Sequence, residues 1–409
     1  MDVSRNENRK MNLDYALIQG FFWCAYCAVG SYAAFYLQAS GFTGTATGLI
    51  MAAGSTLALL LPMVLSPIID EGKRLTSTGA MLGTIALQFA AGIALLFLRG
   101  AGIVLGILYV IWMGLMRSML PICTQICVDA EHCGCRVDYS TGRAFGSFAF
   151  IIASAILGKL LEDRPYTILP KAGLLLLVLL AAAVYGAEVL LRKRRDEASG
   201  EKEEKAPAKK GKSIAAFLKQ YKDYGLLLLG LGLVFTGYGA VSEFSINIVE
   251  DLGGTAADVG YINAVYALLE IPAMLLWRRI ASKKCADLVL ALSICFFVGK
   301  TIFFAAMTSV AAIYPGAIFQ FLGYGLFTPA IVAYTIKKIP YEDSAKAQSL
   351  AASMSTLGVI LSSIFCGILL DRISVRQTML LFSGVVAAGA VVCILAMIKM
   401  RKKGTAAKR

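Results

Sequence analysis

The sequence is poor in what a soluble enzyme needs. Only 16% of its residues are charged, it holds a single histidine, and it shows no nucleophile–base constellation. Its apolar runs lack the ten-residue alternation of a membrane β-barrel. No cleavable signal peptide is evident, because the first apolar run is too long for a signal h-region and more spans follow. The ten cysteines give no extracellular framework: Cys24, Cys27, Cys295, Cys366 and Cys393 sit inside apolar runs and read as small packing residues. Cys123, Cys127, His132, Cys133 and Cys135 are closely spaced, but their C-x3-C-x5-C-x-C pattern departs from the C-x2-C pairs of zinc sites and reads as reduced thiols. Gly299-Lys300-Thr301 echoes the end of a phosphate-binding loop, yet Ile294 stands where the first glycine is required and no strand precedes it. No metal or organic cofactor is expected.

What the chain does have is apolar length. Mean hydropathy is +0.71 with 58% hydrophobic residues, more apolar surface than a soluble core can absorb. Twelve stretches of about twenty residues are long enough to cross a bilayer as helices. They run over 15–38, 45–69, 75–98, 101–127, 141–163 and 170–191, then 222–249, 257–278, 285–308, 311–336, 345–370 and 376–398. Helices satisfy every backbone group internally, which lipid demands. The expected fold is an all-α membrane protein of twelve transmembrane helices, arranged as two pseudo-symmetric six-helix bundles. The expected domains are a tail over 1–14, a bundle over 15–191, a charged linker over 192–221, a second bundle over 222–398 and a basic tail over 399–409.

The net charge of +13 is distributed as a topology signal rather than as a nucleic-acid surface. With both termini on one side, about thirty of the 39 Lys and Arg fall on that side, as the positive-inside rule requires of the cytoplasmic face. The opposite face keeps roughly six: Arg99, Lys159, Arg164, Lys171, Arg372 and Arg376. The expectation is a multi-pass protein of the cell membrane, monomeric, with both termini cytoplasmic. The stretch 192–213, dense in Lys, Glu and Ala, reads as a tether. Ile214, Phe217, Leu218 and Tyr221 follow it as a short interfacial helix.

The two halves echo each other. Gly41, Thr43, Gly48 and Ile50 form G-x-T-x4-G-x-I, and Gly253, Thr255, Gly260 and Ile262 form it again 212 positions later. Phe148 to Leu161 aligns with Leu357 to Leu370 at an offset of 209, pairing Ser154 with Ser363 and Gly158 with Gly367. Two matches at nearly one offset point to duplication. Repeats of this kind are expected to place a substrate site between the halves near the midplane, with rocking giving alternating access.

Function must lie with the few polar groups inside the spans, since a charge at mid-bilayer costs about 2.5–3.5 kcal/mol. The charged ones are Arg117, Arg143, Glu243, Glu270 and Lys300. Span eight carries Asn263, Tyr266 and Glu270 along one helical face, span one carries Gln19, Trp23, Tyr26 and Gly30, span ten Gln320 and Tyr324, and span seven Glu243 and Asn247. These stripes either line a central cavity or glue helices together at about 1 kcal/mol or less per hydrogen bond. Glu270, well inside its run and ahead of Pro272, is the first candidate for a protonatable coupling carboxylate; a static ion pair with Lys300 is the alternative, and Glu243 competes for the same lysine. Arg117 and Arg143 have no obvious carboxylate among the first-half spans. Facing a cavity, they favour a solute with a carboxylate, a phosphate or several acceptor oxygens. Snorkelling to backbone carbonyls or headgroups is the alternative.

With these residues in view, the chain resembles the major facilitator superfamily over essentially its whole length. Ser66 through Arg74 (SPIIDEGKR) is similar to that family's signature loop, with Ser66 in place of glycine and Glu71 in place of a base. The resemblance makes Asp70, Lys73 and Arg74 the gating-loop residues. Tyr139 through Ser147 (YSTGRAFGS), Pro329, Gln348 and Gly367 through Arg372 (GILLDR) resemble the lactose-permease-like branch. That resemblance implies a sugar-binding role for Arg143 and a proton-coupling role for Lys300. Gln125 stands where the permease has its sugar-binding carboxylate, Phe150 where it has a stacking tryptophan, and Tyr324 and Phe327 where it has its histidine and proton-carrying glutamate. Galactoside specificity is therefore not implied.

The expected function is secondary active transport of a small polar solute, proton-coupled and inward. Sugars or oligosaccharides come first by resemblance, with nucleosides and organic anions behind. The expected solute-binding residues are Trp23, Tyr26, Arg117, Gln125, Arg143, Asn263, Tyr266, Gln320 and Tyr324, with Glu270, Lys300 and Glu243 for coupling. The partners are the solute and the lipid bilayer, without nucleic acid, and the proton gradient takes the place of a cofactor. The alternatives are an exporter of amphipathic compounds and, from another class, a non-transporting membrane sensor or scaffold.

Overall fold

The computed structural model describes residues 5–70, 76–98, 100–198, 213–280 and 285–406, and every regular element among them is helical. The α-helices are α1 (Arg5–Tyr26), α2 (Ala33–Ala39), α3 (Gly44–Asp70), α4 (Ser77–Phe97), α5 (Ile103–His132), α6 (Tyr139–Asp163), α7 (Ile168–Ala198) and α8 (Ile214–Gln220). There follow α9 (Lys222–Glu243), α10 (Ser245–Asp251), α11 (Ala256–Ile280), α12 (Ala286–Ala306), α13 (Ile313–Gln320), α14 (Leu326–Lys338), α15 (Tyr341–Leu370) and α16 (Val375–Ala406). Among the described residues ten helical segments are long and apolar enough to cross a membrane, or eleven if α1 and α2 make one bent span. The expected span eight corresponds to α11, a 25-residue helix in which Asp258, Asn263 and Glu270 dilute the apolar character.

Three spans depart from the expected rods, span ten through an irregular turn over Phe321–Gly325. Span one carries a π turn over Cys27–Ser31 and bends by 43° before α2. A π turn breaks the regular hydrogen-bond ladder, and here the Val29 carbonyl accepts from the Tyr109 hydroxyl of α5 at 2.8 Å. Tyr109 is itself fully buried and stacked on Tyr36, with ring centroids 5.1 Å apart. Tyr109→Phe keeps the stack and removes the donor. The expected cost is about 1 kcal/mol, read as a lower melting temperature of the purified protein. Span seven ends at Glu243, where Phe244 (φ −111°) interrupts the helix before α10.

The chain forms two compact units, one holding the residues up to Lys205 together with Ala256–Ala267, the other Ala206–Thr255 with Leu268–Arg409. In the first, α1 packs on α6 and α7, α5 lies against α3 and α4, and α4 meets α7. Its centre is aromatic: Tyr15, Phe22, Tyr32, Tyr36, Tyr109 and Trp112 are all buried. The start of α11 is held there by small residues. The Tyr32 hydroxyl donates to the Ser154 carbonyl and the Ser154 hydroxyl to the Gly260 carbonyl, each at 3.0 Å.

In the second unit α9 lies between α15 and α16, and α12 packs on α16 and α14. Leu227, Leu231, Val234, Phe235, Leu290, Ile294, Phe297 and Tyr334 form its core. Helix association in lipid relies on close backbone approach at small residues, and Gly230, Gly358 and Gly389 supply it here. Large apolar side chains such as Phe97, Ile103, Leu229 and Val391 stay exposed, as lipid-facing positions should.

The sequence repeat has a backbone meaning. Gly41 (φ +96°) and Gly253 (φ +79°) both take the left-handed conformation just past a helix end. In the first copy the Thr43 hydroxyl then caps the next helix, accepting from the Ala46 N–H at 3.2 Å. The repeated G-x-T is a stop signal followed by a start signal.

Candidate functional site

In the first unit the site is built where α6 crosses α1. Gly142 and Gly146, one helical turn apart on α6, face α1 directly. A Cβ on Gly142 would lie 2.6 Å from the Tyr15 ring, and one on Gly146 would lie 2.6 Å from Cδ1 of Trp23. This close crossing lays the Arg143 guanidinium 4.4 Å from the centre of the Trp23 ring, a cation–π contact. Arg143 Nη1 also donates to the Ser147 hydroxyl at 2.8 Å. Phe150 meets Trp23 edge-on at 6.1 Å, and Tyr26 lies 5.4 Å from the same ring. Trp23 Nε1 is buried and has no hydrogen-bond partner among the described residues. A guanidinium and an indole N–H thus share one aromatic cluster.

The shared end of α1 and α6 is pinned by two asparagines. Asn8 Oδ1 accepts the Arg136 N–H at 2.8 Å, Asn12 Nδ2 donates to the Arg136 carbonyl at 2.7 Å, and Asn12 Oδ1 accepts the Asp138 N–H at 2.8 Å. Asp138 caps α6 through the hydroxyl and N–H of Thr141, whose hydrogen bonds hold its carboxyl below the usual range.

In the second unit a connected cluster joins spans seven, eight, nine and ten. Lys300 of α12, fully buried, donates to Gln320 Oε1 at 2.8 Å. Gln320 Nε2 donates to Glu270 Oε1 of α11 at 3.2 Å and reaches the Tyr238 hydroxyl of α9 at 3.5 Å. The Lys300 ammonium lies 4.9 Å from the centre of the Tyr238 ring, and Tyr238 stacks on Tyr324 at 5.2 Å with an interplanar angle of 8°. Tyr324 sits in a second π turn, Phe321–Gly325, which begins immediately after Gln320.

Four of the expected residues, Glu270, Lys300, Gln320 and Tyr324, thus meet in this cluster, while Trp23, Tyr26 and Arg143 meet in the first. Arg117 instead donates to the Ser55 hydroxyl at 2.8 Å. Gln125 belongs to another group: its amide donates to Asp129 Oδ1 at 2.9 Å, and the Ser77 hydroxyl donates to the same carboxylate. Thr78, Glu188 and Arg195 continue that group, with Arg195 pairing to Glu188 at 2.7 Å. Asn263 and Tyr266 are half-buried on the part of α11 that clusters with the first unit, and Glu243 ends α9. Lys73, Arg74 and the side chain of Asp70 lie outside the described residues. Among those described, no group of three or more His, Cys, Asp or Glu is placed to hold a metal ion.

Sequence reasoning missed Tyr238, which contacts Gln320, Lys300 and Tyr324 at once.

Residues 15–403 match the profile of the MFS_1-like family. The chain belongs to that family. It is accordingly a multi-pass membrane protein of the major facilitator superfamily and a transporter of small solutes, not an enzyme. The nucleoside transporter NupG superposes with a TM-score of 0.77 at 14% identity, covering 95% of this chain and 99% of that one. A bacterial homologue of the human lysosomal transporter Spinster gives a TM-score of 0.70 at 15% identity, covering 98% and 99%. At such identities the likeness is one of fold. A stretch of 134 residues, 33% of this chain, is 29% identical to the "Probable 3-phenylpropionic acid transporter" of Escherichia coli (strain K12). That stretch spans about a third of the relative's length, 34%.

In this MFS_1-like transporter Arg143→Lys tests the first cluster. A lysine keeps the charge but loses the flat guanidinium face and its fork of donors. Solute affinity is expected to fall about tenfold, in keeping with about 1–2 kcal/mol for a partly desolvated cation–π contact. The change should be read as a raised KM for uptake with unaltered amounts of protein in the membrane.

Proposed function

We infer that this transporter is a proton-coupled importer of small ring-bearing organic anions, foremost aromatic monocarboxylates. The observation that carries the reading is the pair formed by Arg143 and Trp23, where a cation 4.4 Å from the ring centre stands beside a buried indole N–H with no partner among the described residues. A carboxylate would accept from both donors, and its ring would find Tyr26 and Phe150 as neighbours. Lys300 against the face of Tyr238 repeats the pairing of a buried cation with an aromatic ring in the second unit. Similarity to a relative described as a 3-phenylpropionic acid transporter supports the same solute class.

A sugar or oligosaccharide is the second reading, favoured by the likeness of YSTGRAFGS to the sugar-binding segment of the permease branch. For coupling, Glu270 is the carboxylate and Lys300 its cationic partner. Both are joined through Gln320, and Glu243 is in reserve. The protein acts as a monomer in the cell membrane with both termini cytoplasmic, consistent with the distribution of Lys and Arg.

Thermal unfolding of the purified protein in the presence of aromatic acids, sugars and nucleosides tests the solute class. Binding to the native state raises apparent stability by about 2.7 kcal/mol at a hundredfold excess over Kd. 3-Phenylpropionate or a close aromatic acid should raise the melting temperature, and Trp23→Ala should cancel the rise. A rise with sugars alone would transfer the assignment to the second reading.

A further inference from the structure

Gln320 makes two bonds of opposite sense with one amide: its oxygen accepts from Lys300 and its nitrogen donates to Glu270. Such an amide can satisfy both neighbours only while the Glu270 oxygen that faces it is an acceptor. When Glu270 is protonated on that oxygen with its O–H aimed at the amide, the carboxylic group becomes a donor to Gln320 and pairs with the Gln320 oxygen. The amide group must then turn over, and its NH2 group comes to face the Lys300 ammonium, donor against donor. Lys300 loses the Gln320 oxygen as an acceptor at 2.8 Å at the same moment that the negative charge of Glu270 disappears. A fully buried ammonium in that position draws an anion toward it.

We propose that Gln320 is the positioning residue that converts protonation of Glu270 into a demand for the solute's anionic group at Lys300, by turning over its amide. The step is a proton transfer and a rotation: the proton comes from the aqueous side and rests on a Glu270 oxygen, and no heavy-atom bond forms or breaks. The ionisable side chains shown around the amide are Tyr238 from α9, Glu270 from α11, Lys300 from α12 and Tyr324 from the π turn. Tyr238 also links the amide to the ring pair, since it touches Gln320 through its hydroxyl and Tyr324 through its face. The π turn that begins one residue later gives this segment of span ten the irregular backbone on which such a turnover can draw.

The proposal rests on Glu270 being the coupling carboxylate, and its test separates the two. Infrared difference spectra of the purified, solute-free protein stepped through pH report protonation directly. The wild type should show a carboxylic C=O band that is lost in Glu270→Gln. In Gln320→Leu that band should move to higher wavenumber, because the acceptor for the acid proton is gone. A Gln320→Leu band at the wild-type position, or no band that Glu270→Gln removes, overturns the proposal.

In liposomes loaded by an imposed pH gradient with 3-phenylpropionate as the probe, Gln320→Leu should lose accumulation. Wild-type accumulation by Gln320→Leu also overturns the proposal. Should that variant fold poorly, Gln320→Glu keeps the shape. Its added carboxylate makes a second charge on Glu270 costlier, so the band's midpoint should shift toward alkaline pH. An unmoved midpoint overturns the relay. If the wild type itself does not accumulate the probe, the importer reading fails while the infrared shift still decides the role of Gln320.

Discussion

Glu270→Gln is expected to abolish uphill uptake while leaving solute exchange intact. The substitution preserves the acceptor for Gln320, which donates to Glu270 Oε1 at 3.2 Å, and keeps the side-chain volume. What it removes is the capacity to carry a proton. One unit of pH difference supplies about 1.4 kcal/mol per proton, so a one-to-one symporter accumulates its solute about tenfold per unit. In Glu270→Gln that ratio should fall to about one at every gradient, whereas counterflow of preloaded solute needs no net proton movement and should persist. Glu243→Gln, at the end of α9, should keep most of the accumulation. Normal gradient-driven uptake by Glu270→Gln would exclude Glu270 as the coupling group.

Gly358→Leu is expected to leave no folded protein in the membrane. Gly358 of α15 lies against α9 so closely that even a Cβ would stand 2.5 Å from the Gly232 carbonyl oxygen and 2.9 Å from the Phe235 carbonyl carbon. Those neighbours are backbone, so no rotamer change relieves the clash, and the helices must separate. Overpacking of a tight core costs about 1–3 kcal/mol where side chains can adjust. Displacing α9 along its contact with α15 should exceed that range. Fluorescence-detected size exclusion should show aggregate for Gly358→Leu and a single symmetric peak for Gly384→Leu, since nothing lies within 4 Å of a Cβ at Gly384. Equal peaks would contradict the packing account.

Much of this was legible in the sequence because lipid simplifies the problem. Every long apolar run had to be a helix, and the few polar residues within them stood out. YSTGRAFGS stands out in the sequence only by its resemblance; the fold adds that Gly142 and Gly146 permit a close helix crossing and that the same turn delivers Arg143 to Trp23. The repeated G-x-T turned out to mark two left-handed glycines at Gly41 and Gly253. Lys300 and Glu270 could be joined by charge alone, but the amide between them could not be ranked, because a glutamine in a span is as readily a helix glue as a relay.

Other features left no local trace. Tyr238 is one of 17 tyrosines, and only the fold shows that it covers Lys300. The π turns at Cys27–Ser31 and Phe321–Gly325 carry no periodicity signal, and the Val29 carbonyl finds its partner, Tyr109, on another helix. Ser55, which receives Arg117, carries no charge that would mark it within its apolar run. Gln125 was placed with the solute by resemblance, yet its hydrogen bond goes to Asp129 beside Ser77.

Purified protein in liposomes, given an inside-alkaline pH gradient and radiolabelled aromatic acid, tests proton-coupled solute import most directly. The solute should rise above its external concentration, peak, and drain when a protonophore collapses the gradient. An initial rate of uptake no faster than in protein-free liposomes under the same gradient, where only the neutral acid crosses, would contradict the account.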